Sequence, residues 1–340
     1  MKGVQFLGNR VAVVKDFDDP IVGPRQVRVR MKVSSICGSD LHPYRRLPDQ
    51  LGEQANLILG HEGCGVVDEI GNCVKNVSIG DRVFLNMSMG CGYCSHCLCG
   101  DDRYCENSHS LGLRWNGSMA DYVLAEDRAC LKMPEDISFE EGAILACAGG
   151  TAFSVTRKLK VSGCDTVVIF GLGPVGLVGV MMAKAMGARV IGIDLIEERL
   201  KMARTFGADA LVDASKEDTI MTILKLTGGK GAEVAIDYSG SSKAQAQCLD
   251  AVQNYGRIAW IGVNEQPVLV DSVKIIVKQL HLFGSLIYQS SEAYDLFNFV
   301  RFHKLPLQSL VTHRFKIEQA VEALRLFDTG KTGKILFVWD

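Results

Sequence analysis

One stretch constrains this chain more than any other: Thr166-Val-Val-Ile-Phe-Gly171-Leu-Gly173-Pro174-Val175-Gly176. It reads as a buried strand running into G-x-G-x-x-G, with a helical pattern, Val175–Met186, directly after it. A further apolar strand, Arg189–Asp194, follows and ends in an acid. Each part has a physical task. Gly171 permits a tight turn, Gly173 lets the backbone approach a pyrophosphate, and Gly176 lets helix and strand pack closely. The helix N-terminus that follows, beginning at Pro174 and Val175, offers unsatisfied N–H groups from Val175 onward and a positive dipole end to phosphates. Asp194 can accept from the two hydroxyls of an adenosine ribose, and it repels a 2′-phosphate, so NAD is expected over NADP. Arg199, on the next helix, either flanks the adenine or is a solvated helix charge. G-x-G-x-x-G alone also serves ordinary turns. The strand before it, the helix after it and the acid at the next strand end are what make it a dinucleotide site.

The surrounding pattern agrees. From Asp165 onward apolar runs alternate with helical stretches: Thr166–Phe170, Val175–Met186, Arg189–Asp194 and Glu197–Phe206, then runs at Ala210–Val212, Glu233–Asp237 and Arg257–Ile261. This predicts an α/β fold with a doubly wound parallel sheet. The chain before about Leu145 differs. Short strands such as Gln26–Val33, Gly63–Ile70 and Asp81–Leu85 are separated by Gly, Pro and Asp turns, as in an irregular β domain. Met1–Lys15 alternates like another strand. The last part holds helical patterns at Ala293–Phe302 and Ile317–Thr329 and a final strand, Lys334–Val338. The 340 residues suffice for two cores.

Bulk properties exclude several classes. A formal net charge of -2 gives no field that would gather nucleic acid or anionic lipid. No run reaches the roughly 18 consecutive apolar residues of a membrane span. The N-terminal residues lack the apolar block of a signal peptide. The expectation is a cytoplasmic protein with a small-molecule substrate, no nucleic-acid partner and no membrane partner.

The chain has 12 cysteines, many for a reducing compartment. Four stand in one loop, Cys91-Gly-Tyr-Cys94-Ser-His-Cys97-Leu-Cys99-Gly-Asp-Asp-Arg-Tyr-Cys105, as C-x2-C-x2-C-x7-C. A disulfide framework would scatter them along a small secreted domain. Four thiolates, Cys91, Cys94, Cys97 and Cys105, can close a tetrahedron around Zn²⁺ with no open position, which means structure rather than catalysis. His96 and Cys99 are read as bystanders. Iron–sulfur ligation is the rival for such a run.

Three more segments carry ligand chemistry: Cys37-Gly-Ser39-Asp40-Leu-His42, Gly60-His61-Glu62 and Cys147-Ala-Gly-Gly-Thr151. Singly, Cys37 and Cys147 would read as core thiols and His61 as a satisfied core histidine. Together they supply two thiolates, an imidazole and a carboxylate. Three protein ligands plus an open position is the pattern of a catalytic zinc.

With these motifs assembled, the chain resembles the zinc-containing medium-chain alcohol dehydrogenase family, which includes threonine and sorbitol dehydrogenases. The resemblance runs from the CGSD–H segment and GHE through the four-cysteine loop, the Cys147 segment and GLGPVG with Asp194 to the closing GKTGKILFVW. It implies a GroES-like catalytic domain, residues 1–148 and 289–340, and a Rossmann domain, residues 149–288. It also implies a homodimer or homotetramer, and one catalytic and one structural zinc per chain. Carried over by position, Cys37, His61 and Cys147 resemble the catalytic zinc ligands. Glu62 resembles the carboxylate that can bind or leave the metal, and Asp40 the acid that orients His61. Ser39 resembles the hydroxyl that meets the substrate oxygen, and His42 the outer end of a proton relay. Thr151 joins the cofactor-binding set. The implied reaction moves a hydride between a small alcohol or polyol, or its ketone or aldehyde, and NAD. The rival within the superfamily is a zinc-independent reductase of enones or quinones.

Two features depart from sorbitol-type members. Cys147-Ala148 stands where they carry Glu-Pro, and Ile287 stands where they carry an arginine. Arg45 and Arg46, close after His42, either meet a polar substrate or are surface charge.

Overall fold

A ten-residue strand, Gln26–Ser35, is the spine of the first unit. Val27, Val29, Met31 and Val33 alternate onto its buried face, as a two-residue period requires. It continues two residues beyond the expected Val33 because both of its sides are paired there. Ser34 lies opposite Gly63 and Phe337, and Ser35 opposite Glu62 and Leu336. In this computed structural model, which describes residues 1–263 and 266–340, the sheet order is Val311–Phe315, Lys334–Val338, Gln26–Ser35, Glu62–Ile70, Arg82–Leu85, Cys130–Lys132. Tyr122–Glu126 pairs with the earlier half of Gln26–Ser35. Met1–Lys15 is not one strand but a hairpin, Lys2–Gly8 and Val11–Asp16. Asn9 and Arg10 turn it with φ of 49° and 60°, the left-handed backbone that suits tight hairpin turns. Phe6 from this hairpin packs edge-on against Tyr44, with ring centroids 5.5 Å apart.

The second unit is a six-stranded parallel sheet in the order Ala210–Asp213, Arg189–Asp194, Thr166–Phe170, Ala232–Asp237, Val252–Trp260, His281–Gly284. Val168, Phe170, Ile191, Ile193, Ala235 and Ile258 form its core. Strands covered on both faces read as continuous apolar runs, which is why they stand out in the sequence. The strand order reverses between Thr166–Phe170 and Ala232–Asp237, the place where such sheets bind ligands beyond their carboxyl ends. Among the described residues, no helix is long and apolar enough to cross a membrane.

The first unit comprises Met1–Gly150 and Tyr288–Asp340, and the second Thr151–Ile287. Gly149, Gly150 and Tyr288, which the resemblance groups with the Rossmann domain, lie in the first unit. The reason is local packing: a Cβ on Gly150 would sit 2.2 Å from the Tyr288 ring, and the Tyr288 hydroxyl donates to the Ala146 carbonyl at 2.9 Å.

Candidate active site

The register of the first sheet brings the scattered ligand residues together. Cys37 follows the end of the Gln26–Ser35 strand, and Glu62 begins the strand paired with it. One ligand atom from each of Cys37, His61, Glu62 and Cys147 lies within 4.8 Å of the others, and all four residues are buried. The two sulfurs are 3.9 Å apart. Tetrahedral zinc, with bonds of about 2.0–2.3 Å, needs ligand separations of roughly 3.3–3.8 Å, so the donor set fits a zinc ion in size and in kind.

Asp40 organises one side. Its Oδ2 accepts the Cys37 N–H at 2.8 Å, which fixes the turn carrying that thiol. Its Oδ1 faces His61 Nδ1 at 3.4 Å. That arrangement directs the proton to Nδ1 and leaves Nε2 as the donor atom, the usual support of a metal-binding imidazole. Burial disfavours a charged His61, and Asp40 with Cys37 outweighs it, so the His61 pKa stands well above the ordinary value. Ser39 Oγ lies 3.5 Å from His61 Nε2. Ser39 and His42 are exposed, His42 on the short helix Leu41–Arg45.

The thiols share charge unequally. Cys147 beside it, aided by His61, holds Cys37 well below the ordinary thiol range against the effect of burial. Cys37 and burial push Cys147 well up. Two thiolates this close repel each other, so the pair favours losing only one proton. A divalent cation is what would let both ionise, since ligation requires deprotonated sulfur.

Glu62 is fully buried, and sequence reasoning missed what holds it. Its Oε2 accepts from both the Ser35 hydroxyl and the Lys334 ammonium. Lys334, also fully buried, donates to the Ile36 carbonyl at 3.2 Å as well. Burial raises the Glu62 pKa, and Lys334 opposes the rise. Burial pulls Lys334 down, and Glu62, Cys37 and Cys147 more than offset that pull. We read the pair as ionic, because a charged Lys334 without its carboxylate would be isolated in the core. Glu62 Oε1 is buried and has no hydrogen-bond partner among the described residues. It is the oxygen left over for a cation. The one sequence signal was a lysine opening an otherwise apolar strand, Lys-Ile-Leu-Phe-Val.

The second cluster is the loop. Cys91, Cys94, Cys97 and Cys105 likewise place their sulfurs within 4.8 Å of one another. The Cys91 N–H donates to Cys105 Sγ at 3.3 Å. The Tyr93 backbone N–H brings Cys91 down to about 6, while burial raises Cys97. His96 and Cys99 are exposed and lie outside the cluster. Arg45 is engaged on the surface, where its guanidinium donates to Asp328 at 2.6 Å.

In the second unit the glycine turn is open where a ligand needs it. Gly171 has φ +85°, a conformation that favours glycine. A Cβ on Gly176 would lie 1.9 Å from the Gly171 carbonyl oxygen, so only glycine permits that approach. Beyond Gly173 the nearest group to such a Cβ is Arg199, 4.0 Å away, which leaves room for a pyrophosphate. Pro174 opens the helix Pro174–Ala185, and Val175 follows it. Thr151 is buried, and its hydroxyl has no partner among the described residues.

Asp194 does more than the sequence suggested. Its Oδ1 accepts the Leu195 and Ile196 N–H groups at 2.7 and 2.9 Å, and its Oδ2 accepts Leu172 N–H at 2.7 Å. Arg199 lies 3.6 Å from Oδ2. A carboxylate has about four lone-pair sites, so the acceptor capacity left for a ribose is on Oδ2. The same carboxylate thus closes the turn and keeps acceptor capacity to spare.

Comparison with known proteins agrees with this geometry. Residues 23–135 match the alcohol dehydrogenase GroES-like domain, and residues 174–301 the zinc-binding dehydrogenase family. The chain is 35% identical to a zinc-type alcohol dehydrogenase-like protein of Escherichia coli K12, covering 97% of this chain and 96% of that protein. It is 33% identical to an L-threonine 3-dehydrogenase of Rhizobium etli CIAT 652, covering 96% and 94%. Its fold is similar to that of an alcohol dehydrogenase from Thermus sp. ATN1, with a TM-score of 0.92, 26% identity and 99% of both chains covered. The chain belongs to the zinc-containing medium-chain alcohol dehydrogenase family and is a zinc-dependent oxidoreductase acting on CH–OH donors.

Proposed function

We propose that this protein transfers a hydride between a small alcohol or polyol, or the corresponding ketone or aldehyde, and NAD, with one catalytic and one structural zinc per chain. The observation that carries the reading is the buried meeting of Cys37, His61, Glu62 and Cys147 in a chain that also builds an open glycine turn backed by Asp194. The preference for NAD rests on Asp194, whose charge repels a 2′-phosphate. The donor cluster argues against a zinc-independent reductase, which has no use for it.

Cys37, His61 and Cys147 hold the catalytic metal, and Glu62 offers it a further oxygen. Cys91, Cys94, Cys97 and Cys105 hold the structural one. When bound, zinc supplies Lewis acidity that lowers the pKa of a hydroxyl, and NAD supplies the hydride acceptor. The remaining work belongs to the chain. Asp40 keeps the His61 ring in its tautomer. The Ser39 hydroxyl accepts the proton of the substrate alcohol and passes its own toward His42. His42, exposed to solvent, releases it to water, the role of a general base at the outer end of a relay. Gly171, Gly173, Pro174, Val175 and Gly176 receive the pyrophosphate, and Asp194, Arg199 and Thr151 complete the cofactor set.

The protein works in the cytoplasm as a homodimer or homotetramer. Its free cysteines suit a reducing compartment. Exposed apolar side chains on the second unit, among them Leu269, Val273, Ile276 and Val277, support burial against another copy.

The test is NADH formation by purified protein across a panel of alcohols and polyols, before and after a chelator, with Cys37→Ala as control. Chelator-sensitive turnover that is lost in Cys37→Ala is the expected result. Turnover indifferent to both treatments would overturn the catalytic-zinc reading in favour of the zinc-independent reductase.

A further inference from the structure

We infer that Tyr288 is a positioning residue for Cys147: its ring lies on Gly150 and its hydroxyl holds the Ala146 carbonyl, clamping the π turn that carries the thiol. Residues Leu145–Gly149 form a π-helical turn, with Cys147 at its centre. The Gly150 N–H reaches back five residues to the Leu145 carbonyl. Such turns hold one residue more than an α-helix would, are costly, and persist where surrounding structure imposes them. If this one relaxed to α geometry, the residues on one side would rotate by about 100° against the other. That rotation would carry the Cys147 sulfur away from Cys37, now 3.9 Å distant.

Tyr288 is placed to prevent this. It is 1% exposed, and its O–H donates to the Ala146 carbonyl at 2.9 Å. That carbonyl belongs to the peptide bond leading directly into Cys147. The ring contact is equally specific. A Cβ on Gly150 would lie 2.2 Å from both Cδ1 and Cε1 of the ring. Gly150 is therefore glycine for the close approach of Tyr288, since its own φ, -59°, is ordinary helix. The clamp grips the turn at two points, one on each side of the thiol. Burial, with Cys147 and Glu62 nearby, pushes the phenol well above its ordinary pKa, so it stays neutral and remains a donor. The residue before it, Ile287, has φ +36°, a conformation strained for a β-branched side chain. The chain bends against preference at the point where it delivers Tyr288.

The inference rests on the reading that Cys147 is a metal ligand. It is tested with Tyr288→Phe in the full-length zinc-loaded protein, since that change keeps the ring and removes only the hydroxyl. Zinc retention against a chromophoric chelator is followed, together with the thiolate-to-metal absorption of the cobalt-substituted protein. Tyr288→Phe should weaken retention of one metal by about tenfold or more, the usual effect of losing outer support, and should shift the cobalt band of the two-thiolate site. The metal of the four-cysteine loop should be held as in the wild type, which shows that the fold is intact. Gly150→Ala, which lifts the ring, should reproduce the same selective loss. Wild-type retention of both metals with an unchanged cobalt spectrum in Tyr288→Phe would overturn the inference. A wild-type protein that binds only the loop metal would overturn the catalytic-metal reading itself, and this inference with it.

Discussion

Lys334 and Glu62 form an ion pair in which neither side chain is exposed to solvent. Such a pair gains little over an apolar replacement, but breaking it by removing one partner costs about 3–5 kcal/mol, because the other charge stays buried alone. Lys334→Met should therefore lower the unfolding free energy of the metal-free protein by about that amount in urea titrations. Adding Glu62→Gln to Lys334→Met should restore a large part of it. A double variant no more stable than Lys334→Met would mean that packing, not charge, is what the lysine contributes.

Gly176→Ala tests the close helix–strand contact. The added methyl would lie 1.9 Å from the Gly171 carbonyl oxygen, and backbone cannot yield as a flexible side chain does. Overpacking of this kind costs about 1–3 kcal/mol, or more where nothing can move. We expect a lowered melting temperature together with loss of NADH binding, seen by fluorescence titration.

Asp194→Ala removes an acceptor shared by Leu172, Leu195 and Ile196. Hydrogen bonds to a charged group contribute about 1.5–3 kcal/mol each, so NADH affinity should fall by roughly tenfold to a hundredfold. The ratio of kcat/KM for NAD over NADP should fall as well, because the repulsion of a 2′-phosphate is gone. An unchanged ratio would show that Asp194 serves the turn and not the cofactor.

Asp213, at the end of the strand beside Asp194, gives the acid limb of stability a defined sign. Lys216, 2.7 Å away, and Ser215 hold its pKa down at about 2, against about 3.9 for an unfolded chain. A depressed folded-state value contributes stability that is complete above the unfolded pKa and is lost as pH falls through the folded one. The wild type should therefore melt higher than Asp213→Asn near neutral pH, and the gap should close as pH falls from about 4 to about 2. A gap that stayed constant over that window would show that the ionised Asp213 carboxylate does not carry the difference.

What could be read in advance depended on how local each signal is. The parallel strands were legible because burial on both faces leaves unbroken apolar runs. The four-cysteine cluster was legible because all four thiols fall in one segment. Cys37, His61 and Cys147 carried meaning only as a set. Lys334 carries no legible role in the sequence, since its partner lies 272 residues away and a lysine near glycines reads as a surface turn. The π turn at Cys147 has no periodic signature that separates it from an α-helix. The N-terminal hairpin was missed because Asn9-Arg10 lacks the glycine that usually marks such a turn. The strand Val252–Trp260 begins before the expected Arg257 because its polar start, with Tyr255 at φ +60°, breaks the apolar run.

The discontinuity of the first unit has a consequence for how the chain is made. The second unit, Thr151–Ile287, is a single stretch, and its parallel sheet needs no later residue to complete it. The first does: the end of the Gln26–Ser35 strand, Val33 to Ser35, stays open on one flank until Lys334–Val338 is synthesised and pairs with it. Until then Glu62 lacks Lys334, and the uncovered strand end is the kind of edge on which nascent chains misassociate. A ribosome stalled in the last helix would thus hold a finished nucleotide fold joined to a catalytic half still waiting for its own beginning and end to meet.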